Sequence, residues 1–131
     1  MANGMSKQTR PTVLIVDDER RIADTFAEIL RQHGYETVAA YDGQSGLEHA
    51  RSLSPGAIIS DISMPGMNGV EMAIQILQFL PACQILLVSA YRAGALLESA
   101  AARGYTFEML LKPVHPQELV AKLNQRCNNA A

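Results

Sequence analysis

Five short apolar runs, each closed by polar or turn-forming residues, alternate along the chain with five stretches of helical periodicity. Thr12–Val16 (TVLIV) is β-branched and continuously apolar, as a strand buried on both faces must be, and Asp17, Asp18 and Glu19 follow it. Ile22, Phe26, Ile29 and Leu30 recur at i, i+4, i+7 and i+8, which predicts a helix with that stripe inward, stopped by Gly34. Residues 35–40 read as a second strand, and Asp42 is placed to cap a short helix containing Leu47 and Ala50. Ser54, Pro55 and Gly56 break the chain before a third run, Ala57, Ile58 and Ile59, which ends in Ser60 and Asp61. A loop rich in Pro, Gly and Asn spans 62–69. Beyond it Val70, Ala73, Ile74, Leu77 and Leu80 form a helical stripe that ends near Pro81. Residues 84–88 (QILLV) are a fourth strand ending in Ser89, and 93–103 an Ala-rich helix with Leu96, Leu97, Ala100 and Ala101, closed by Gly104. A last strand at 107–111 ends in Lys112 and Pro113. Pro116 suits the first turn of a final helix carrying Leu119, Val120, Leu123 and Cys127.

Strand and helix alternating five times through short connections predict an α/β fold, a parallel sheet with right-handed crossovers and helices on both faces. Residues 1–10 read as a disordered lead-in, 11–127 as one domain and 128–131 as a polar tail. Composition narrows the function classes. The 131 residues are 48% apolar and 18% charged with a formal net charge of −2, and no Lys/Arg cluster supplies the footprint of a nucleic-acid binder. Cys83 and Cys127 lack metal-ligand spacing and read as free thiols, consistent with a reducing, cytoplasmic setting. No apolar run approaches the ~20 residues needed to cross a membrane.

Four of the five strands finish in chemically active side chains: Asp17 with Asp18, Asp61, Ser89 and Lys112. A parallel sheet puts all its C-terminal ends on one edge, so these residues share a crevice where strand order reverses. Three gathered carboxylates repel one another, and one lysine cannot neutralise them. A hard divalent cation can, and an all-oxygen site with carboxylates, water and a phosphoryl ligand suits Mg²⁺. His33, His49 and His115 lie outside this pattern, which argues against zinc. A carboxylate beside such a cation, faced by a hydroxyl and an ammonium, is laid out to receive a phosphoryl group: Asp61 attacks phosphorus, while Ser89 and Lys112 each bind a phosphoryl oxygen.

At VLIVDDE (13–19), SDISMPGMNG (60–69), LLVSAY (86–91) and LLKPV (110–114), the chain resembles the receiver domain of bacterial two-component response regulators, over nearly all of residues 11–127. The resemblance implies a flavodoxin-like, doubly wound (βα)5 fold with a five-stranded parallel sheet in the order 2-1-3-4-5. It implies Asp61 as phosphoacceptor, with Asp18, Asp61 and the backbone carbonyl of Ser63 as direct Mg²⁺ ligands and Asp17 acting through a bound water. Ser89 looks like the switch hydroxyl, Lys112 like the family's lysine, and Lys112–Pro113 like a cis bond. The implied donor is a sensor histidine kinase or phosphotransfer protein. The implied output is a protein contact through helix 93–103, strand 107–111 and helix 115–127, with a phosphorylation-linked dimer also compatible. Where the family has an aromatic residue three positions before the lysine, this chain has Met109. Ser63 and Tyr91 stand where the family tunes water access to the acyl phosphate. Neither carries an acid or amide to orient water, so slow to moderate self-dephosphorylation is expected. Other readings are a phosphorelay intermediate, a receiver fragment of a longer DNA-binding regulator or hybrid kinase, and an aspartyl-nucleophile phosphohydrolase. A dehalogenase-type phosphohydrolase has a second Asp two residues past the nucleophile, where this chain has Ser63. A nucleotide or flavin binder lacks its motif here.

Overall fold

The structure is a computed structural model that describes residues 10–129. The expected lead-in, apart from Arg10, and the last two residues of the expected tail lie outside the described residues. Ten elements alternate strictly: β1 (Thr12–Val16), α1 (Arg20–Gln32), β2 (Glu36–Ala40), α2 (Gly43–Leu53), β3 (Ala57–Asp61), α3 (Gly69–Phe79), β4 (Gln84–Ser89), α4 (Gly94–Ala102), β5 (Glu108–Leu111) and α5 (Pro116–Asn129). The strands form one parallel sheet in the order β2-β1-β3-β4-β5, as the resemblance implied.

Alternate residues of each strand point to opposite faces, and in the three central strands β1, β3 and β4 both faces are almost wholly buried, which is why their runs are apolar rather than alternating. Val13, Ile15, Ile59, Leu86 and Val88 pack under α1 and under Leu119, Val120 and Leu123 of α5. Leu14, Val16, Ile58, Ile85 and Leu87 pack on the other face against α2, α3 and Ala100 of α4. The sheet is therefore wound on both sides, and its C-terminal edge is left open between the helices.

Local chemistry sets the element ends. Asp42 caps α2 by accepting the Ser45 N–H at 2.7 Å, and Asn68 caps α3 by accepting the Glu71 N–H at 2.9 Å. Gly34 and Gly104 follow α1 and α4 with φ of 95° and 93°. In each case the glycine and the next residue return their N–H groups to the last helical turn, closing the orphan carbonyls.

The α1 stripe is a correction. The buried face is Ala23, Ala27 and Leu30, while Ile22, Phe26 and Ile29 are only partly buried. Alanine lets the helix backbone lie close to the sheet, and the larger side chains turn sideways. Ile22 and Phe26 thereby form one wall of an apolar groove against Pro113 and Val114. At the other ends, α5 runs to Asn129, two residues into the expected tail, and α4 begins and ends one residue inside the expected 93–103.

Candidate functional site

The register brings the strand ends to one level: Val16 pairs with Ser60, Asp61 with Val88, and Ser89 with Leu111. Asp17 directly follows β1, Asp61 ends β3, Ser89 ends β4, and Lys112 directly follows β5. One carboxylate oxygen each from Asp17, Asp18 and Asp61 lies within 4.8 Å of the others. Asp17 and Asp61 are buried and Asp18 is exposed.

Lys112 reaches into this cluster. Its ammonium donates to Asp17 Oδ2 at 3.0 Å and lies 3.4 Å from Asp61 Oδ1. The other oxygen of Asp17 accepts the Glu19 N–H at 2.9 Å. Burial by itself would pull the lysine pKa down, but the Asp17 and Asp61 carboxylates outweigh it and hold the pKa above its usual value. Asp61 goes the other way. Its carboxyl is pushed up from 3.8 to about 6, first by burial and then by the Asp17 charge, with Lys112 opposing. Two carboxylates sharing one ammonium, with a third at the mouth, leave the cluster negative. The donor set is all oxygen with no thiolate or imidazole, and it suits a hard divalent cation.

Ser89 is buried, and its hydroxyl accepts the Tyr91 N–H at 3.3 Å. Its carbonyl accepts the Lys112 N–H at 2.8 Å, which ties the ends of β4 and β5 together, and the Lys112–Pro113 bond is cis. The hydroxyls of Ser63 and Tyr91 bond directly to each other across the loops that follow β3 and β4. Met109 is not part of the cluster; it is partly buried against the core on the α2–α4 face. Tyr105 and Phe107 stack with ring centroids 6.5 Å apart.

Two contributors to the site were not singled out from sequence. The buried Ser60 hydroxyl donates to the Asp61 carbonyl at 2.9 Å. Gly69 donates its N–H to the Ile62 carbonyl at 2.8 Å, and a β-carbon there would stand 2.1 Å from the Asp61 carbonyl oxygen. The signals for Gly69 were its place at the end of the SDISMPGMNG stretch and a glycine opening a helix in place of a better helix former. Beside the site, the groove between α1 and the β5–α5 loop has a volume of about 560 Å³, with Arg21 and Lys112 among its lining residues. Among the described residues no helix is long and apolar enough to cross a membrane.

Comparison with known proteins agrees with this geometry. The model of the response regulator receiver domain matches residues 13–124. The chemotaxis protein CheY of Thermotoga maritima is 32% identical over 114 residues, covering 86% of this chain and 94% of that protein. The DNA-binding response regulator MtrA of Mycobacterium tuberculosis is 29% identical over 117 residues, covering 89% of this chain and 50% of MtrA. The chain thus spans about half the length of the MtrA relatives it matches. Among solved structures, a CheY-like receiver domain protein from Methanospirillum hungatei has a TM-score of 0.84 at 26% identity, covering 91% of this chain and 94% of that one. With its sheet order, its acidic cluster at the strand ends and a family match over most of its length, the chain belongs to the response regulator receiver domain family.

Proposed function

We propose that Asp61 is the phosphoacceptor of a signalling switch, and the placement of its buried carboxylate 3.4 Å from Lys112 and beside Asp17 and Asp18 carries that reading. The donor is a sensor histidine kinase or a phosphotransfer protein. An Asp61 oxygen attacks phosphorus, the bond from phosphorus to the donor histidine nitrogen breaks, and an acyl phosphate forms. Lys112 turns from the carboxylates toward a phosphoryl oxygen, and Ser89 gives its proton to a hydrogen bond with another. Asp18, Asp61 and the Ser63 carbonyl would hold Mg²⁺, with Asp17 acting through water. The ion supplies charge neutralisation at the transferring phosphoryl group.

The domain spans 11–127 and works in the cytoplasm. The kinase or phosphotransfer partner docks over the apolar groove beside Lys112, where Ile22 and Phe26 meet Pro113 and Val114. The downstream protein reads the face made by α4, β5 and α5, where Leu96 and Leu111 are exposed. The chain acts as a phosphoacceptor rather than as an enzyme turning over phosphate esters, because Ser63 stands where a phosphohydrolase of the dehalogenase type needs its acid.

Acetyl phosphate with Mg²⁺, followed on a phosphate-affinity gel, tests this. Transfer forms the Asp61–phosphorus bond and releases acetate. The wild-type band is expected to shift and Asp61→Asn to stay put; an equal shift in both sinks the assignment. After the donor is removed, the shifted band is expected to persist for minutes or longer, since the hydroxyls at 63 and 91 cannot act as a base toward water. Decay within seconds contradicts that lifetime.

A further inference from the structure

Arg20 and Arg21 open α1, and no acid stands in its first turn. Both features run against the helix macrodipole, whose positive end favours carboxylates and disfavours cations. Every Cα–Cβ bond of an α-helix tilts toward the N-terminus, so a side chain at the first position leans back over the loop 17–19. Asp18 is exposed in that loop, and among the described residues no cation holds its carboxylate. A free guanidinium at position 20 would pair with Asp18 and compete there with a divalent cation.

Arg20 is not free. Its guanidinium carbon lies over the Tyr41 ring, 4.0 Å from the centroid. Tyr41 directly follows β2, and its hydroxyl donates to Asp24 Oδ1 at 2.6 Å. That bond ties the ring to α1 one turn beyond the arginine it holds. Close by, the Asp17 N–H donates to the Ala40 carbonyl at 3.1 Å, which fixes the chain before Tyr41 against the start of the acidic loop. The face of an aromatic ring attracts a cation without carrying a formal charge of its own. The guanidinium is therefore kept near the acids and off them.

We propose that Tyr41 is a positioning residue for metal binding: by stacking on Arg20 it keeps the guanidinium away from Asp18 and leaves the acidic cluster open to Mg²⁺. Tyr41 touches neither the metal nor the phosphoryl group and acts through Arg20 alone. The inference rests on the reading of Asp17, Asp18 and Asp61 as a cation site.

Calorimetric titration of the full chain with Mg²⁺ at neutral pH tests this. Tyr41→Leu keeps the apolar bulk and offers no ring face. It is expected to weaken Mg²⁺ binding by about three- to fivefold, the range an exposed ion pair at Asp18 supplies. Tyr41→Phe keeps the face and should bind within about twofold of wild type. Arg20→Ala should bind Mg²⁺ at least as tightly as wild type. Added to Tyr41→Leu, Arg20→Ala should restore the affinity, which a merely structural role for Tyr41 would not allow. Proton resonances of the Arg20 side chain report the stacking without metal: its δ-methylene should be shifted upfield by the ring in wild type and Tyr41→Phe, and not in Tyr41→Leu. Unchanged Mg²⁺ affinity in Tyr41→Leu overturns the proposal, as does a loss that Arg20→Ala fails to reverse or a wild-type δ-methylene with no upfield shift. If wild type binds no Mg²⁺ although its Arg20 resonances are shifted, the cation-site reading fails and this role falls with it. If wild type binds Mg²⁺ and Tyr41→Leu binds it equally well, only the role of Tyr41 fails.

Discussion

Replacing Asp61 with asparagine is expected to raise the melting temperature of the metal-free protein at pH 7.5 by about 6–10 °C while abolishing phosphoryl acceptance. Asp61 is buried beside Asp17, and its carboxyl titrates at about 6 instead of 3.8. A carboxyl with a raised folded pKa costs nothing below about pH 4, where it is protonated in both the folded and unfolded chain. The cost grows as the pH climbs from 4 to 6 and is complete above that. The shift corresponds to about 2 kcal/mol once solvent at the pocket mouth is allowed for, which sets the expected change in melting temperature. Asparagine keeps the shape and an acceptor for Lys112, whose stronger contact at 3.0 Å is with Asp17. The gain should therefore be present at pH 7.5 and vanish near pH 4. Saturating Mg²⁺ should narrow it, because the cation stabilises wild type by an amount that grows with the logarithm of its concentration, about 2.7 kcal/mol at a hundred times its dissociation constant. Thermal melts of both proteins at pH 4, 6 and 7.5, with and without Mg²⁺, check all three statements. A metal-free Asp61→Asn protein less stable than wild type at pH 7.5 would mean that Asp61 is held by attraction and that its ionised carboxylate carries no such cost.

Much of this acidic cluster was legible in the chain. An apolar run that stops abruptly in Asp17, Asp61, Ser89 or Lys112 announces a strand end, and a parallel sheet then has one place to put all four. What the run cannot say is which of two adjacent acids faces inward. Asp17 proves to be the buried partner of Lys112 and Asp18 the exposed one, because alternation along a strand depends on where the strand meets its neighbours. The α1 face was misread for a related reason. Hydrophobic periodicity points at the largest side chains, whereas close packing on the sheet selected Ala23 and Ala27 and left Ile22 and Phe26 to wall the groove beside the site. The Ser63–Tyr91 bridge joins residues 28 apart on two loops. No local pattern records the distance between loops, so neither residue stood out as one half of a pair.

Gly69→Ala is expected to destabilise the domain by about 2–4 kcal/mol and to impair phosphoryl acceptance by the molecules that do fold. Helix propensity alone predicts the opposite sign, since alanine is better than glycine by about 1 kcal/mol in a helix. Space decides against propensity. A β-carbon at 69 would lie 2.1 Å from the Asp61 carbonyl oxygen, 3.0 Å from its carbon and 3.1 Å from the α-carbon of Ile62. All three atoms are backbone, so no side chain can turn away to make room, and overpacking of this kind costs kilocalories. Relief requires the end of β3 to move, and that moves the Asp61 carboxylate relative to Lys112 and the acids after β1. Stability and acceptance should therefore fall together. Gly94→Ala is the matched control, because a β-carbon there meets nothing within 4 Å. Urea melts of both variants, with acetyl phosphate labelling in the folded range, separate the cases. If Gly69→Ala is as stable as Gly94→Ala, the loop after β3 is free to shift, and Asp61 is positioned by its strand alone.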